Sequence, residues 1–205
     1  MRRSKEEAEA TRERILDAAE QHFASQSIAK TRMEDIAKTA GVTRGAIYWH
    51  FKNKEEMLGA LNQRLIMPME SAMNGLLENN PDDIDAEKIQ QAILSSLQHI
   101  AESKSAEQVS RVMIRYALCG ESEILRERII RNREGNIDRL KRLVEIGKRR
   151  GFICPALPDF QTAVHIHTHI MGIIHQLLSA PQAYPNGAAD IKFSLNCLFS
   201  GLEPR

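Results

Sequence analysis

The sequence predicts an all-α fold, built from an N-terminal three-helix helix-turn-helix domain and a C-terminal helical bundle. Apolar residues recur with a period near 3.6 over long stretches of the 205-residue chain, and strand-type alternation is almost absent. Aromatic residues, which strands favour, make up only 5% of the sequence. We expect the first domain to span residues 1–53 and the second residues 54–205, with a helix over about 54–78 linking them.

The first two helices can be placed from their apolar faces and their caps. The first runs from about Lys5 to Ser25, and its apolar face consists of Ile15, Leu16, Ala19 and Phe23. The second is predicted to begin near Arg32, because Thr31 and Glu34 have the spacing of a capping box. Gly41 should end it, since glycine enters the left-handed conformation without a steric penalty.

The third helix is short and has an unusual outer face. Thr43 is its predicted cap, and the face that turns inward consists of Ala46, Ile47 and Phe51. The positions that remain outside are Thr43, Arg44, Gly45, Tyr48, Trp49 and His50. A solvated helix rarely places Tyr and Trp together at exposed positions. The plainer alternative, that Tyr48 and Trp49 are core aromatics of a generic bundle, is disfavoured because the inward face is complete without them.

This outer face suits a DNA duplex. Arginine can donate to guanine O6 and N7, aromatic hydroxyl and indole N–H groups can donate to phosphate oxygens, and glycine lets a helix approach a groove closely. The predicted phosphate contacts are Thr31, Arg32, Tyr48, His50 and Lys54, the last also through the N-terminal dipole of the following helix. The predicted base contacts are Thr43, Arg44 and Gly45, and Trp49 completes the interface.

The rest of the chain is predicted to be helical as well. A fourth helix starts after Asn53, runs to roughly Leu77 and contains Pro68, which should bend it. Further helices are predicted near residues 86–102, 105–118, 121–149, 159–180 and 187–202.

The starts of two of these helices have recognisable cap signals. Ser105 and Gln108 have the spacing of a capping box, and Asp159 should cap the helix that follows a proline-containing loop. Pro181 should help to end that helix.

The helix over residues 159–180 is apolar nearly all round, which predicts that other helices pack against it on two sides. One face carries His167, Ile170, Met171, Ile174 and Leu178, and another carries His165, His169, Gly172 and Gln176. His165 and His169 have the i, i+4 spacing of a two-histidine metal pair. Because a third ligand is missing on that face and His167 points elsewhere, we predict no metal and no cofactor.

Composition and motifs exclude several classes of function. The sequence lacks a nucleophile elbow, a phosphate-binding loop and a dinucleotide fingerprint, so we predict that the protein is not an enzyme. No apolar run is long enough to span a bilayer and the N-terminus is charged, which predicts a cytoplasmic protein with no membrane partner. The net charge of +1 does not exclude DNA, because a local basic surface matters more than the sum.

The segment GVTRGAIYWHFKNK, with the opening KEEAEATRERILDAAEQHF, resembles the tetracycline-repressor (TetR) family of bacterial transcription regulators. It is most similar to the branch of multidrug-efflux repressors typified by the acridine-resistance regulator (AcrR). The resemblance is firm over residues 5–60. It implies a homodimer on a palindromic double-stranded DNA operator, released by a hydrophobic small-molecule effector.

The resemblance also assigns roles to residues of the second domain. It implies a dimer interface built from the helix over 159–180 and the last helix, with Ile191, Leu195, Leu198 and Phe199. The candidate ligand-binding residues are Ile93, Leu97, Ile100, Val112, Met113, Tyr116, His167, Ile170, Met171 and Ile174. Most of those on the helices over 86–102 and 105–118 could equally be ordinary core residues. The resulting hypothesis is a ligand-responsive repressor of a multidrug-efflux operon. An activator, a non-efflux regulator and a ligand scavenger without regulatory DNA binding remain as alternatives.

Overall fold

The computed structural model describes residues 5–26, 28–78, 80–119 and 123–204, and over these residues the chain is helical without a strand. This confirms the predicted all-α class. The helices are α1 (Lys5–Ser25), α2 (Met33–Thr39), α3 (Arg44–His50), α4 (Lys54–Glu78), α5 (Ala86–Glu102), α6 (Lys104–Cys119), α7 (Glu123–Arg150), α8 (Asp159–Ser179) and α9 (Ala188–Ser200). Short 3₁₀ turns occur at Pro81–Asp83 and Pro181–Ala183.

Several helix limits agree with the sequence signals. Helix α1 has the predicted bounds, and α4 continues through Pro68 to Glu78. Gly41, after the end of α2, has a φ of 65°, the left-handed conformation that favours glycine. Thr43 caps α3, since its hydroxyl oxygen accepts from the backbone N–H of Ala46 at 3.1 Å.

Three predicted caps were wrong by one or two residues. The N-cap of α2 is Arg32 rather than Thr31, and the Arg32 side chain makes no cap hydrogen bond. Helix α6 begins at Lys104, and the hydroxyl of Ser103, not that of Ser105, accepts from the N–H of Ala106 at 3.2 Å. Neighbouring polar residues compete for each cap, and the path of the incoming chain selects among them.

The third error concerns α8. Its N-cap is Pro158, and Asp159 is the first helical residue. The Asp159 carboxylate forms an ion pair with the ammonium of Lys148 at the end of α7. The carboxylate that was predicted to cap α8 therefore pairs with a lysine from another helix instead.

By contacts, the chain divides into two compact units. The first comprises the described residues of 1–65 and 108–128, and the second those of 66–107 and 129–205. The first unit thus extends beyond the predicted boundary at residue 53 and includes part of α4 and a later segment of the chain. The functional division at that boundary stays a prediction.

The first unit has an apolar core to which α1, α2, α3 and α4 all contribute. Helix α1 packs on α2, and α2 packs on α3. Its most deeply buried side chains are Ile15, Leu16, Ala19, Phe23, Ile36, Ile47, Phe51, Met57, Leu58 and Leu61. Every α1 residue of the predicted inward face is among them. The short helices α2 and α3 are therefore fixed by burial and by their caps.

The second unit has a larger core in which α5, α8 and α9 pack on one another. Four α9 residues that were predicted to form a dimer interface lie inside this core, at 7% exposure or less: Ile191, Leu195, Leu198 and Phe199. That assignment was wrong, because the apolar face of α9 is covered by the chain's own α5 and α8. Among the described residues, no helix is both long and apolar enough to cross a membrane.

Candidate nucleic-acid interface

Helix α3 is held by its inner face and displays its outer face. Ile47 is fully buried, and Phe51, just after the helix, is 2% exposed. On the outer face, Tyr48 is 42% exposed and Trp49 is 74% exposed. Burial has a favourable free energy for both aromatic side chains, so their exposure calls for a partner outside the chain.

Arg44 is the exposed cation at the start of α3, and two groups of the chain surround its guanidinium. The Nε atom lies 3.5 Å from Oε1 of Glu34, on α2. On another side, the guanidinium carbon lies 5.8 Å from the centre of the Tyr48 ring. This role of Glu34 could not be predicted from the sequence, because the packing of α2 on α3 brings the two side chains together and no local pattern encodes that packing.

The remaining outward residues form a continuous surface with these side chains. The rings of Trp49 and His50 meet edge to face with their centres 4.5 Å apart, and His50 is half-buried. Gly45 is exposed, and a Cβ added there would approach only the Thr43 hydroxyl oxygen, at 4.0 Å. The chain itself therefore leaves room for a larger residue at position 45.

Two predicted phosphate contacts are placed differently from the prediction. Thr31 is only 1% exposed, so its hydroxyl lies inside the domain. The ammonium of Lys54 donates to the backbone carbonyls of Ile28 at 2.6 Å, Thr31 at 2.8 Å and Ala29 at 3.3 Å. These carbonyls lie in the turn between α1 and α2, so in this conformation Lys54 ties the turn to α4 instead of facing outward.

The N-terminus of α4 has its own cap. The side-chain oxygen of Asn53 accepts from the N–H of Glu56 at 2.9 Å, and the carboxylate of Glu56 accepts from the N–H of Lys52 at 2.7 Å. This reciprocal arrangement uses the logic of a capping box. The signal was visible in the sequence as Asn followed three residues later by Glu.

An ionic cluster fixes α4 on α1 within the first unit. Arg64 donates to Asp17 at 2.8 Å and also to Glu13, and Glu20 lies 3.8 Å away. Burial alone would lower the pKa of Arg64, but the hydrogen bonds to Asp17 and Glu13 outweigh it and raise that pKa above its ordinary value. The helix-turn-helix thus rests on a frame of two helices that are joined by a charged arginine.

The candidate ligand-binding residues are mostly interior. Ile93, Leu97 and Ile170 belong to the apolar core of the second unit, and Ile174 packs against it. Met171, by contrast, is 43% exposed and is not enclosed by the chain.

The candidates on α5 and α6 are divided between the two units. Ile100 is buried in the second unit, whereas Val112 and Met113 are buried in the first. The Tyr116 side chain lies outside the described residues. That all these residues line an effector cavity stays a prediction.

The histidines of α8 have separate surroundings. Burial, and next the positive charge of Arg133, lower the pKa of the half-buried His167. His169 shares a hydrogen bond of 3.0 Å with the hydroxyl of Ser194, and its pKa is lowered mainly by burial. His165 is exposed. Within the described part of the chain, no group of three metal-ligating side chains comes together.

The comparisons with known proteins agree with this geometry. A sequence model of the family described as bacterial regulatory proteins, tetR family, matches residues 15–61, which contain the helix-turn-helix. The regulator SrpR of Pseudomonas putida is 30% identical over 177 residues, which cover 86% of this chain and 78% of SrpR. The chain belongs to the TetR family. This confirms the predicted class, a helix-turn-helix transcriptional regulator and not an enzyme.

Other TetR-family proteins extend the likeness. The regulator TtgR, also of Pseudomonas putida, is 57% identical over 61 residues, which span 30% of this chain and only 29% of the length of TtgR. The structure of a SmeT–triclosan complex matches with a TM-score of 0.83 and 26% identity, over 95% of this chain and 92% of SmeT. NalD of Pseudomonas aeruginosa, a secondary repressor of the MexAB-OprM multidrug efflux pump, matches with a TM-score of 0.79 and 27% identity, over 97% and 98%.

Proposed function

We propose that the protein is a ligand-responsive transcriptional repressor of a multidrug-efflux operon, which a hydrophobic small molecule releases from its operator. The observation that carries the DNA-binding part is the outer face of α3, where Arg44, Tyr48 and Trp49 are all exposed around a buried Ile47. In this proposal α3 is the recognition helix and enters the major groove.

The DNA contacts follow from the exposed groups. Arg44 and Thr43 read base edges, and Gly45 allows the helix backbone to come close to them. Arg32, Tyr48, Trp49 and His50 contact phosphates and fix the register of the helix in the groove. Lys54 does not contact DNA in this proposal. It sets the orientation of the helix-turn-helix by binding the turn before α2.

A homodimer is supported by uncharged exposed stripes on α8 and α9. On α8, exposed positions that recur four and three residues apart form a stripe of Gln161, His165, Thr168, Gly172, His175 and Ser179. On α9 the exposed stripe consists of Ala189, Phe193, Cys197 and Ser200, four, four and three residues apart, and Phe193 is 69% exposed. Such spacing aligns with a partner helix, and two copies related by a two-fold axis would present two recognition helices to a palindromic operator.

The effector site is proposed inside the second unit. Its core is rich in Ile and Leu, and His167 offers a polar group at the edge of that core. Because its pKa is lowered, His167 is neutral near pH 7 and has one ring nitrogen that donates and one that accepts. Such a site suits apolar compounds with one or two polar groups, and SmeT, a structural relative, has been observed with triclosan.

Release of the operator is a linkage effect. A ligand that binds more tightly to the state that does not bind DNA lowers operator affinity, and DNA then lowers ligand affinity by the same factor. Repression of efflux genes is supported by NalD, a structural relative that represses an efflux pump. Action in the cytoplasm, where the DNA is, is part of the same proposal.

A gel-shift titration tests the whole proposal. The duplex is the region upstream of the protein's own gene, and the titration is run with and without lipophilic antibiotics. We expect a shifted band that at least one antibiotic weakens. Arg44→Ala is the control for specific binding and should lose about 1–3 kcal/mol of discrimination at one base pair of each half-site. An identical weak shift with any duplex, for both proteins, would contradict the proposal.

A further inference from the structure

We propose that Glu34 is a specificity-determining residue of the DNA interface, which orients Arg44 for contact with a guanine. The inference rests on the proposed function of α3 as the recognition helix. It gives α2, the supporting helix of the motif, an indirect influence on base selection, because Glu34 acts by positioning Arg44.

The geometry constrains Arg44 on two sides. The Oε1 atom of Glu34 lies 3.5 Å from Nε of Arg44, and the Tyr48 ring lies beside the guanidinium carbon at 5.8 Å. Both side chains of the ion pair remain open to solvent, with 74% of Arg44 and 47% of Glu34 exposed. The pair therefore adds little to the stability of the fold, and its effect lies in where it directs the guanidinium.

The position of Arg44 makes this partner necessary. Arg44 is the first residue of α3 after the Thr43 cap, where the helix dipole is positive and a cation is disfavoured. The first turn of α3 contains no acidic residue that could compensate. The carboxylate of Glu34, in the first turn of α2, supplies the missing negative charge from the neighbouring helix.

The contact also determines which edge of Arg44 is available. Glu34 faces Nε, so the two terminal Nη groups are left to donate together to O6 and N7 of a guanine. A side-on approach through Nε would require Glu34 to move away. Ordering one long side chain before binding avoids an entropic cost that corresponds to about a 2- to 12-fold change in affinity for the correct base.

The negative charge of Glu34 has a second effect, which a test must separate from the positioning of Arg44. A carboxylate close to DNA repels phosphates, so its removal should raise affinity for all sequences alike. Asp35 provides a matched control because it is an exposed carboxylate in the same first turn of α2. Asp35→Ala removes the same charge from the same turn without removing the Glu34 carboxylate from Nε of Arg44.

The experiment selects binding sites from a randomised duplex pool and sequences the bound fraction. It compares the wild type with Glu34→Ala, Asp35→Ala, Arg44→Ala and the double variant Glu34→Ala/Arg44→Ala, after thermal melting has shown that each is folded. We expect Arg44→Ala to abolish the guanine preference at one position of each half-site. Glu34→Ala should weaken the preference at that same position about 2- to 12-fold, and Asp35→Ala should leave it unchanged.

The outcomes separate this inference from the proposed function. If the wild type selects no common sequence, or Arg44→Ala changes no position, the proposed recognition surface fails. If Arg44→Ala removes a preference that Glu34→Ala leaves intact, only the role of Glu34 is overturned. The double variant should match Arg44→Ala, because Glu34 acts through Arg44. If the double variant also lost preference at another base pair, Glu34 would not act through Arg44 alone, and the inference would be overturned.

Discussion

The outer faces of α3 and α8 both carry large side chains in contact with solvent, but their surroundings differ. On α3, Tyr48 and Trp49 stand beside the cation Arg44 and next to the positive end of the helix. On α8, Phe160 and Met171 are 56% and 43% exposed, and the only Asp, Glu, Lys or Arg residue from Asp159 to Ser179 is Asp159 itself. The exposure of a side chain does not indicate what kind of partner it binds. The charge of its neighbours does. A cationic aromatic face fits a polyanion, and an uncharged face fits a copy of itself.

Salt provides the largest expected difference between the two faces. If a dimer neutralises roughly 6–10 phosphates, operator affinity should fall about 10³- to 10⁵-fold between 50 and 200 mM salt. Dimerisation through uncharged stripes should change little over the same range, because few ions are released. Fluorescence anisotropy with labelled operator measures the first, and analytical ultracentrifugation measures the second. Equal salt dependence of the two equilibria would remove the distinction.

A charge placed on the α9 stripe should break the dimer. Phe193→Asp would bury one unpaired carboxylate per protomer at the two-fold interface, at a cost of several kcal/mol for each. We expect monomers in ultracentrifugation and a loss of operator affinity of at least about 100-fold, since one half-site contact remains.

Lys192→Asp is the matched control for that variant. Lys192 lies next to Phe193 in the sequence but borders a groove of about 230 Å³ between α5 and α9, together with Glu87 and Gln91. This variant should remain dimeric. If it dissociates as readily as Phe193→Asp, the stripe has been assigned to the wrong face.

On the DNA face, Gly45→Ala should separate folding from binding. The chain leaves room for a Cβ at this position, and alanine in a helix is about 0.5–1 kcal/mol more stable than glycine. Urea denaturation should therefore show a more stable protein. Operator affinity should fall, because the added methyl group meets the base edges that glycine allows α3 to approach. If the variant is more stable and keeps full operator affinity, the backbone at position 45 does not closely approach the bases.

The smallest of these predicted effects is the pH dependence of the free energy of unfolding. We expect it to come from a histidine of α8. His167 has a lowered pKa in the folded chain, so the unfolded chain binds more protons near pH 6 and stability falls as pH decreases below about 6.5. His167→Gln should reduce this fall in denaturation curves measured between pH 7.5 and 5. His175→Gln, an exposed position on the same helix, is the control. Unchanged pH dependence in His167→Gln would show that another group governs the fall.

The sequence by itself determined where the helices lie and which face of α3 points outward. Gly41 and Thr43 fix the turn through a left-handed residue and a side-chain cap, both of which depend only on neighbours in the chain. The outer face of α3 could also be predicted, because a 3.6-residue period separates the side chains that face a core from those that do not. The exposure of Trp49 follows from that period.

Only the tertiary structure decided which charged groups meet. Glu34 was predicted to cap a helix and instead faces Arg44, and Lys54 was predicted to contact phosphate and instead donates to the turn before α2. The apolar face of α9 was predicted to bind a second chain and is buried in its own. A long charged or apolar side chain has several satisfactory partners within reach, and the packing of whole helices selects one of them. Periodicity records that a residue needs a partner, whereas three-dimensional packing determines which partner it has.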